Sequence, residues 1–336
     1  MRAAIVGIAG PALDPAEAAL FRHHRPAGVI LFARNIRHPG QLRALTASLR
    51  DVLPSHAVLA IDQEGGRVAR LRPPHWRAHP SAARLGAAFA RDGDAGLRAA
   101  WLSGALIGLD CAGAGLDVVC APALDLRVPG AHDAIGDRAY SHDPDAVGRM
   151  GRAVADGLLA AGVQPVAKHA PGHGRATVDS HLDLPRVGAA EDLADDLRPF
   201  AACAGLPWMM TAHLLYEGLD PNWPATLSAV VIRQVIRGRI GFGGVLVSDD
   251  LAMNALSGTP GERAAQAVAA GCDIAMHCSG ALPDTADVLE SAPELSDAAR
   301  ARLAAARGMA HAARRVLDGD ALAAERDVLL ADEAIA

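Results

Sequence analysis

The stretch Gln164-Pro165-Val166-Ala167-Lys168-His169-Ala170-Pro171-Gly172-His173-Gly174 changes character halfway along. A short run without polar/apolar alternation ends in a lysine and a histidine, then opens into a Pro/Gly loop carrying a second histidine. Runs that do not alternate are strands covered on both faces, as in parallel sheets. The same pattern recurs at residues 3–8, 28–32, 57–61, 117–120, 208–212, 244–247 and 273–277. Helical patterns fall between these runs, near 15–24, 40–53, 95–112, 144–161, 191–204, 228–238, 261–270 and 281–290. Eight strand–helix units in order predict an α/β chain closed into a (β/α)8 (TIM) barrel. An open doubly wound sheet would need a Gly-rich phosphate turn after its first strand, and Gly7-Ile8-Ala9-Gly10-Pro11 matches that fingerprint poorly. Residues 296–318 read as a C-terminal outer helix. With no Pro-, Gly- or Ser-rich linker, residues 1–336 are expected to form a single domain.

The polar clusters all fall just beyond the carboxyl ends of these strands. Asp62-Gln63-Glu64-Gly65-Gly66-Arg67 and Arg70 follow the third, and Gly136-Asp137-Arg138 lies in the long loop after the fourth. Lys168-His169 ends the fifth, whose loop runs on to Asp179-Ser180-His181, while His213 and Ser248-Asp249-Asp250 end the sixth and seventh. In a (β/α)8 barrel those loops share the rim where catalytic groups gather. Carboxylates, cations and histidines dominate there. No serine stands in a nucleophile elbow and no cysteine has an electropositive setting, so acyl transfer has little support. A carboxylate nucleophile with a separate proton donor suits displacement at a glycosidic bond. Of 32 basic residues only Lys168 is lysine, which points to a position needing a compact ammonium instead of a planar fork.

Composition narrows the partners. The chain is 51% hydrophobic and 21% charged, with net charge −6 and a pI near 6.1. That balance argues against nucleic acid and anionic membrane surfaces. The apolar amino-terminal run breaks at Gly10-Pro11, too early for a secretory segment. Cys111, Cys120, Cys203, Cys272 and Cys278 lack zinc-type spacing and read as buried free thiols in a reducing compartment, which together place the chain in the cytoplasm.

Ile61-Asp62-Gln63-Glu64-Gly65-Gly66-Arg67-Val68, Lys168-His169-Ala170-Pro171-Gly172-His173-Gly174, Asp179-Ser180-His181 and Ser248-Asp249-Asp250-Leu251-Ala252-Met253 resemble the motifs of family 3 glycoside hydrolases. The resemblance is greatest to bacterial cytoplasmic β-N-acetylglucosaminidases of peptidoglycan recycling. It implies a retaining exo-β-N-acetylglucosaminidase acting on muropeptide fragments, with no cofactor or metal; a monomer or weak homodimer is expected. It also implies that Asp249 is the nucleophile and His181, paired with Asp179, the acid/base. Asp62, Arg70, Arg138, Lys168 and His169 would bind the sugar. Ala170 and Ala252 depart from the common phenylalanine and serine at those positions.

Each residue has a plainer reading. Asp249 and Asp250 could cap the next helix. Asp179 and His181 could form a surface turn. Arg70 and Arg138 could be structural ion-pair members, and His213 a satisfied barrel-top histidine. Trp76, Trp208 and Trp223 suit packing better than sugar stacking. Other functions also fit the residues. His169, His173, Asp179, His181 and Asp183 could serve a metal-dependent hydrolase, although the Lys168 ammonium would oppose the cation. A β-N-acetylglucosaminide phosphorylase and a non-catalytic sugar-binding barrel are the others.

Overall fold

A computed structural model describes residues 1–130, 132–176, 184–188, 193–253 and 255–331. Its eight barrel strands are β1 (Arg2–Gly7), β2 (Pro26–Leu31), β3 (Val58–Ile61), β4 (Val118–Val119), β5 (Gln164–Ala170), β6 (Trp208–Thr211), β7 (Val245–Asp250) and β8 (Ile274–His277). Each is parallel to both neighbours, and β8 pairs with β1 to close the barrel. All eight expected runs are strands. β4 is short, but the chain beyond it stays in register: the Leu124 amide donates to the Lys168 carbonyl at 2.6 Å.

The absence of alternation has a direct cause. Inward residues such as Ile5, Val58, Ala60, Val118, Val166, Val245 and Ile274 fill the barrel lumen. Outward residues such as Val6, Leu59, Ile61, Val119, Met209 and Leu246 pack under the helices. Both faces are dry, so both positions are apolar. Trp208 fills the lower lumen, and its Nε1 donates to Gln164 Oε1 at 2.9 Å. This indole is therefore a packing group.

The surrounding helices include α1 (Pro15–His24), α2 (Pro39–Val52), α3 (Ala82–Arg91), α4 (Gly93–Gly113), α5 (Pro144–Ala160), α6 (Ala194–Ala202), α7 (Pro260–Ala270) and α8 (Leu282–Ser291), with a π-helical segment at Val231–Arg239 after β6. Among the described residues no helix is long and apolar enough to cross a membrane. Sequence periodicity missed α3, which precedes the return helix α4 and so breaks the rule of one helix per strand.

The C-terminal helix α9 (Asp297–Ala313) does more than lie outside. Ala299, Leu303 and Ala306, spaced on one face, join the lumen cluster. The Leu295 amide donates to the Met1 carbonyl at 2.9 Å, and Arg302 bonds Asp273 at 2.7 Å. The helix thus closes the amino-terminal mouth, opposite the functional rim. A further helix, α10 (Gly319–Leu329), packs on α4 and was not anticipated. All five cysteines are buried and free. If α9 is a structural floor, Leu303→Ala should cost about 2–5 kcal/mol by cavity formation, read from the urea midpoint at unchanged slope, with KM unaffected. A loss below about 0.5 kcal/mol, the surface-substitution range, would remove α9 from the core.

Candidate active site

Inward side chains at the carboxyl ends of the strands form two levels. Ile30 of β2, Cys120 just past β4, Met210 of β6 and Met276 of β8 make an apolar, sulfur-rich floor. Asp62 just past β3, Lys168 of β5 and Asp249 of β7 bring charge to the same cavity. Alternate strands contribute alternate layers in such barrels, so the charged groups rest on a weakly polar base. The cavity measures about 310 Å³ and is also lined by Arg67, Arg70, Arg138, His169 and Asp250. Each of the five expected sugar-binding residues therefore reaches one cavity, together with Asp249.

Lys168 occupies its centre of charge. Only 3% of its side chain is exposed, and its ammonium lies 2.6 Å from both Asp62 Oδ1 and Glu64 Oε1. A compact ammonium can sit between two carboxylates that the wide guanidinium fork would push apart. That accounts for the single lysine of the chain. Asp62 also accepts from Arg70 Nη2 at 2.7 Å. Glu64 is also gripped by Arg138, with Nε on Oε2 at 2.9 Å and Nη2 at 2.7 Å on the Oε1 that faces Lys168. Burial alone would raise the Glu64 carboxyl, but Arg138 and Lys168 outweigh it and hold it well below the usual range. Burial opposes the charge on Lys168 too, and Asp62 and Glu64 reverse that, keeping it firmly protonated. Arg70 and Arg138 are thus ion-pair members as well as cavity-lining groups.

The loops are shaped to present these groups. After Asp62 the chain turns at Gly65, whose φ is +104°; a Cβ there would lie 2.3 Å from the Pro80 carbonyl oxygen. Buried Gln63 accepts from the Arg70 and Leu71 amides at 2.6 and 3.0 Å, fixing the return of the loop. Arg67 bonds the carbonyls of Asp133, Ala134 and Ile135, which secures the segment delivering Arg138.

The two aspartates of β7 differ in environment. Asp250 Oδ1 accepts from the Ala252 and Cys278 amides, both at 2.9 Å, so it pins the loop. The Asp249 carboxylate accepts one hydrogen bond among the described residues, from the Asp250 amide at 2.8 Å. Burial would raise it, but in the acid range, where imidazoles are protonated, His169 and His213 join that amide and Lys168 in bringing it down to about 2. It is ionised at neutral pH. His213 is buried, with Nε2 2.9 Å from the Asp250 carbonyl and Nδ1 2.8 Å from Thr226 Oγ1. Burial lowers its pKa, and the Asp250 carbonyl, which can only accept, makes Nε2 the donor. It is a satisfied support for the β7 terminus.

Sequence reasoning assigned no role to Glu64, Gln63, Arg67 or Asp125. For Glu64 the signal was present, because residues two apart on an extended segment share a side with Asp62. Asp125 stands alone in the apolar run Pro122-Ala123-Leu124-Asp125-Leu126, and only the packing reveals its partners. Asp179, His181 and Asp183 lie outside the described residues. Of the proposed metal-ligand set, His169 has one ring nitrogen on Asp125 and the other facing Arg138, a poor setting for a divalent cation.

A parallel barrel with a carboxylate-and-cation cavity at its carboxyl rim is a frame for glycosidic chemistry, and known proteins agree. The profile described as glycosyl hydrolase family 3 N terminal domain matches residues 6–318. The beta-hexosaminidase of Alkalilimnicola ehrlichii is 41% identical over 281 residues, 82% of this chain and 80% of that one. That of Methylococcus capsulatus is 38% identical over 329 residues, covering 95% and 94%. NagZ from Neisseria gonorrhoeae, solved in complex with N-trifluoroacetyl-D-glucosamine, superposes with a TM-score of 0.86 at 31% identity over 98% of each chain. The chain belongs to glycosyl hydrolase family 3. Within that family it resembles the beta-hexosaminidases, and the protein is a glycoside hydrolase.

The ion network predicts a pH-dependent stability. Glu64, Asp125 and Asp249 all have folded-state values below their ordinary ones. Their ionisation therefore stabilises the fold fully above the unfolded values near pH 4, and that contribution is lost as pH falls through the depressed ones. Glu64→Gln leaves Lys168 and Arg138 short of a counter-charge and should cost about 3–5 kcal/mol at pH 7. Its melting temperature should then vary less than wild type between pH 5 and about 3. Parallel melting curves for the two proteins would show that Glu64 carries no such linkage.

Proposed function

We propose that the protein is a retaining exo-β-N-acetylglucosaminidase, and that it removes terminal N-acetylglucosamine from muropeptide fragments such as GlcNAc-1,6-anhydro-MurNAc, with or without peptide. One observation carries the reading: Asp249 is an ionised carboxylate lining the cavity where Asp62, Arg70, Arg138, Lys168 and His169 converge. A carboxylate in that state can attack an anomeric carbon and form a glycosyl-enzyme. The Asp62, Arg138, Lys168 and His169 groups offer both acceptors and donors for sugar hydroxyls, as charge-assisted hydrogen bonds. About 310 Å³ is at the small end of ligand pockets, which span roughly 300–1,000 Å³, and suits one sugar residue at a chain end. Relatives named beta-hexosaminidase and a NagZ structure holding an N-acylated glucosamine support the N-acetyl preference.

On this reading His181, oriented by Asp179, protonates the leaving oxygen and then deprotonates water. A cytoplasmic setting and a single catalytic domain over residues 1–336 accord with it. The free buried thiols support the first of these.

The test pairs an activated substrate, a nitrophenyl N-acetyl-β-glucosaminide, with an unactivated disaccharide. Asp249→Asn should slow both by roughly 10⁴-fold or more, and a mechanism-based fluorinated sugar should label Asp249 in the wild type. His181→Ala should damage the disaccharide far more than the nitrophenyl substrate and let the intermediate accumulate. Labelling of Asp250, or an equal loss on both substrates for His181→Ala, would overturn the respective assignment.

A further inference from the structure

Asp125 is fully buried in the segment that continues β4, and it carries three hydrogen bonds from one short stretch of chain. Its Oδ1 accepts the His173 amide at 2.7 Å and the His169 amide at 3.2 Å. Its Oδ2 lies 2.7 Å from His169 Nδ1. A single carboxylate thus ties together both ends of the His169–His173 turn and one ring of it. The other ring nitrogen, His169 Nε2, faces the Arg138 Nη2 group at 3.4 Å. A guanidinium can only donate, and a carboxylate can only accept. The two contacts agree on one arrangement: the proton sits on Nδ1 and points at Asp125, and Nε2 turns a lone pair toward the cavity.

We propose that Asp125 is a positioning residue that sets the tautomer of His169, making His169 a hydrogen-bond acceptor for a substrate hydroxyl. The hydroxyl would donate to Nε2 while Arg138 and Lys168 donate to oxygens beside it, so the site reads the direction of each sugar O–H as well as its place. The proposal rests on His169 touching the sugar, the reading given above. Asp125 touches no substrate and does not line the cavity; it acts through the ring. A histidine whose inner nitrogen is fixed by a carboxylate gains a defined tautomer and orientation.

Asp125→Asn keeps the shape and the acceptor for the two amides, but its amide group can donate to Nδ1. That would move the ring proton to Nε2, where it opposes Arg138 and can no longer accept from the sugar. kcat/KM should fall about 10- to 100-fold, mainly through KM, and by the same factor on nitrophenyl and disaccharide substrates. In a His169→Ala background the same change should have almost no further effect, because the ring through which it acts is gone. A structural role for Asp125 would instead cost as much in both backgrounds. The ¹⁵N spectrum of histidine-labelled protein, with His169 assigned from its variant, gives a readout independent of turnover. Wild type should show the Nδ1–H form of His169 and Asp125→Asn the Nε2–H form. An Nε2–H ring in the wild type, or additive losses in the two backgrounds, would overturn the proposal. A His169→Ala protein with full activity and an Nδ1–H ring in wild type would leave the tautomer standing and remove His169 from sugar binding, defeating the acceptor role.

Discussion

The ammonium of Lys168, held 2.6 Å from both Asp62 and Glu64, is the constraint around which the rim is arranged. Buried ions are stable only when their counter-charges are close and fully bonded. Each carboxylate therefore brings a second cation, Arg70 on Asp62 and Arg138 on Glu64. These pairings join the loop after β3, the loop after β4 and the end of β5 into one rigid body. Removing any member would strand a charge in a weakly polar surrounding, so the network resists partial loss. Its rigidity keeps acceptors and donors in place before a ligand arrives, which lowers the ordering cost of binding.

The floor beneath this network matters as much as the charges. Ile30, Cys120, Met210 and Met276 cannot solvate ions, so the field of each charged group reaches farther than it would in water. Asp249 illustrates the balance. Burial pushes its carboxyl up, yet in the acid range protonated His169 and His213, with Lys168 and one backbone amide, bring it to about 2. Among the described residues no cation is pressed against the carboxylate, and it stays charged. On the proposed reading that is the state a nucleophile requires, and it separates Asp249 from Asp250, whose oxygen is committed to two backbone amides.

Much of this could be read from the chain alone, for identifiable reasons. A parallel barrel buries both faces of every strand, so its strands stand out as short apolar runs, and all eight were legible. Their polar termini were legible for the same reason, since along such a strand charge appears only where it leaves the core. What escaped was whatever depends on three-dimensional partnership. Asp125 has no motif, because its partners lie 44 and 48 residues away in sequence. Glu64 carried a signal, its two-residue spacing from Asp62, but the glycine turn that follows makes it read as part of the loop. Helix α9 was recognised as amphipathic, but the identity of the surface it covers, the open base of the barrel, came only from Leu303 and Ala306 joining the lumen.

On the proposed reading one cavity holds a terminal N-acetylglucosamine with its reactive carbon turned toward Asp249. The most direct measurement is a crystal structure of the protein with N-acetylglucosamine bound. The sugar is expected above the Met210–Met276 floor, its hydroxyls in hydrogen-bond contact with Asp62, Arg138, Lys168 and His169. Its anomeric carbon should stand roughly 3–3.5 Å from an Asp249 oxygen, the spacing of a near-attack arrangement. A sugar seated outside this cavity, or one whose anomeric carbon faces away from Asp249, would contradict the account.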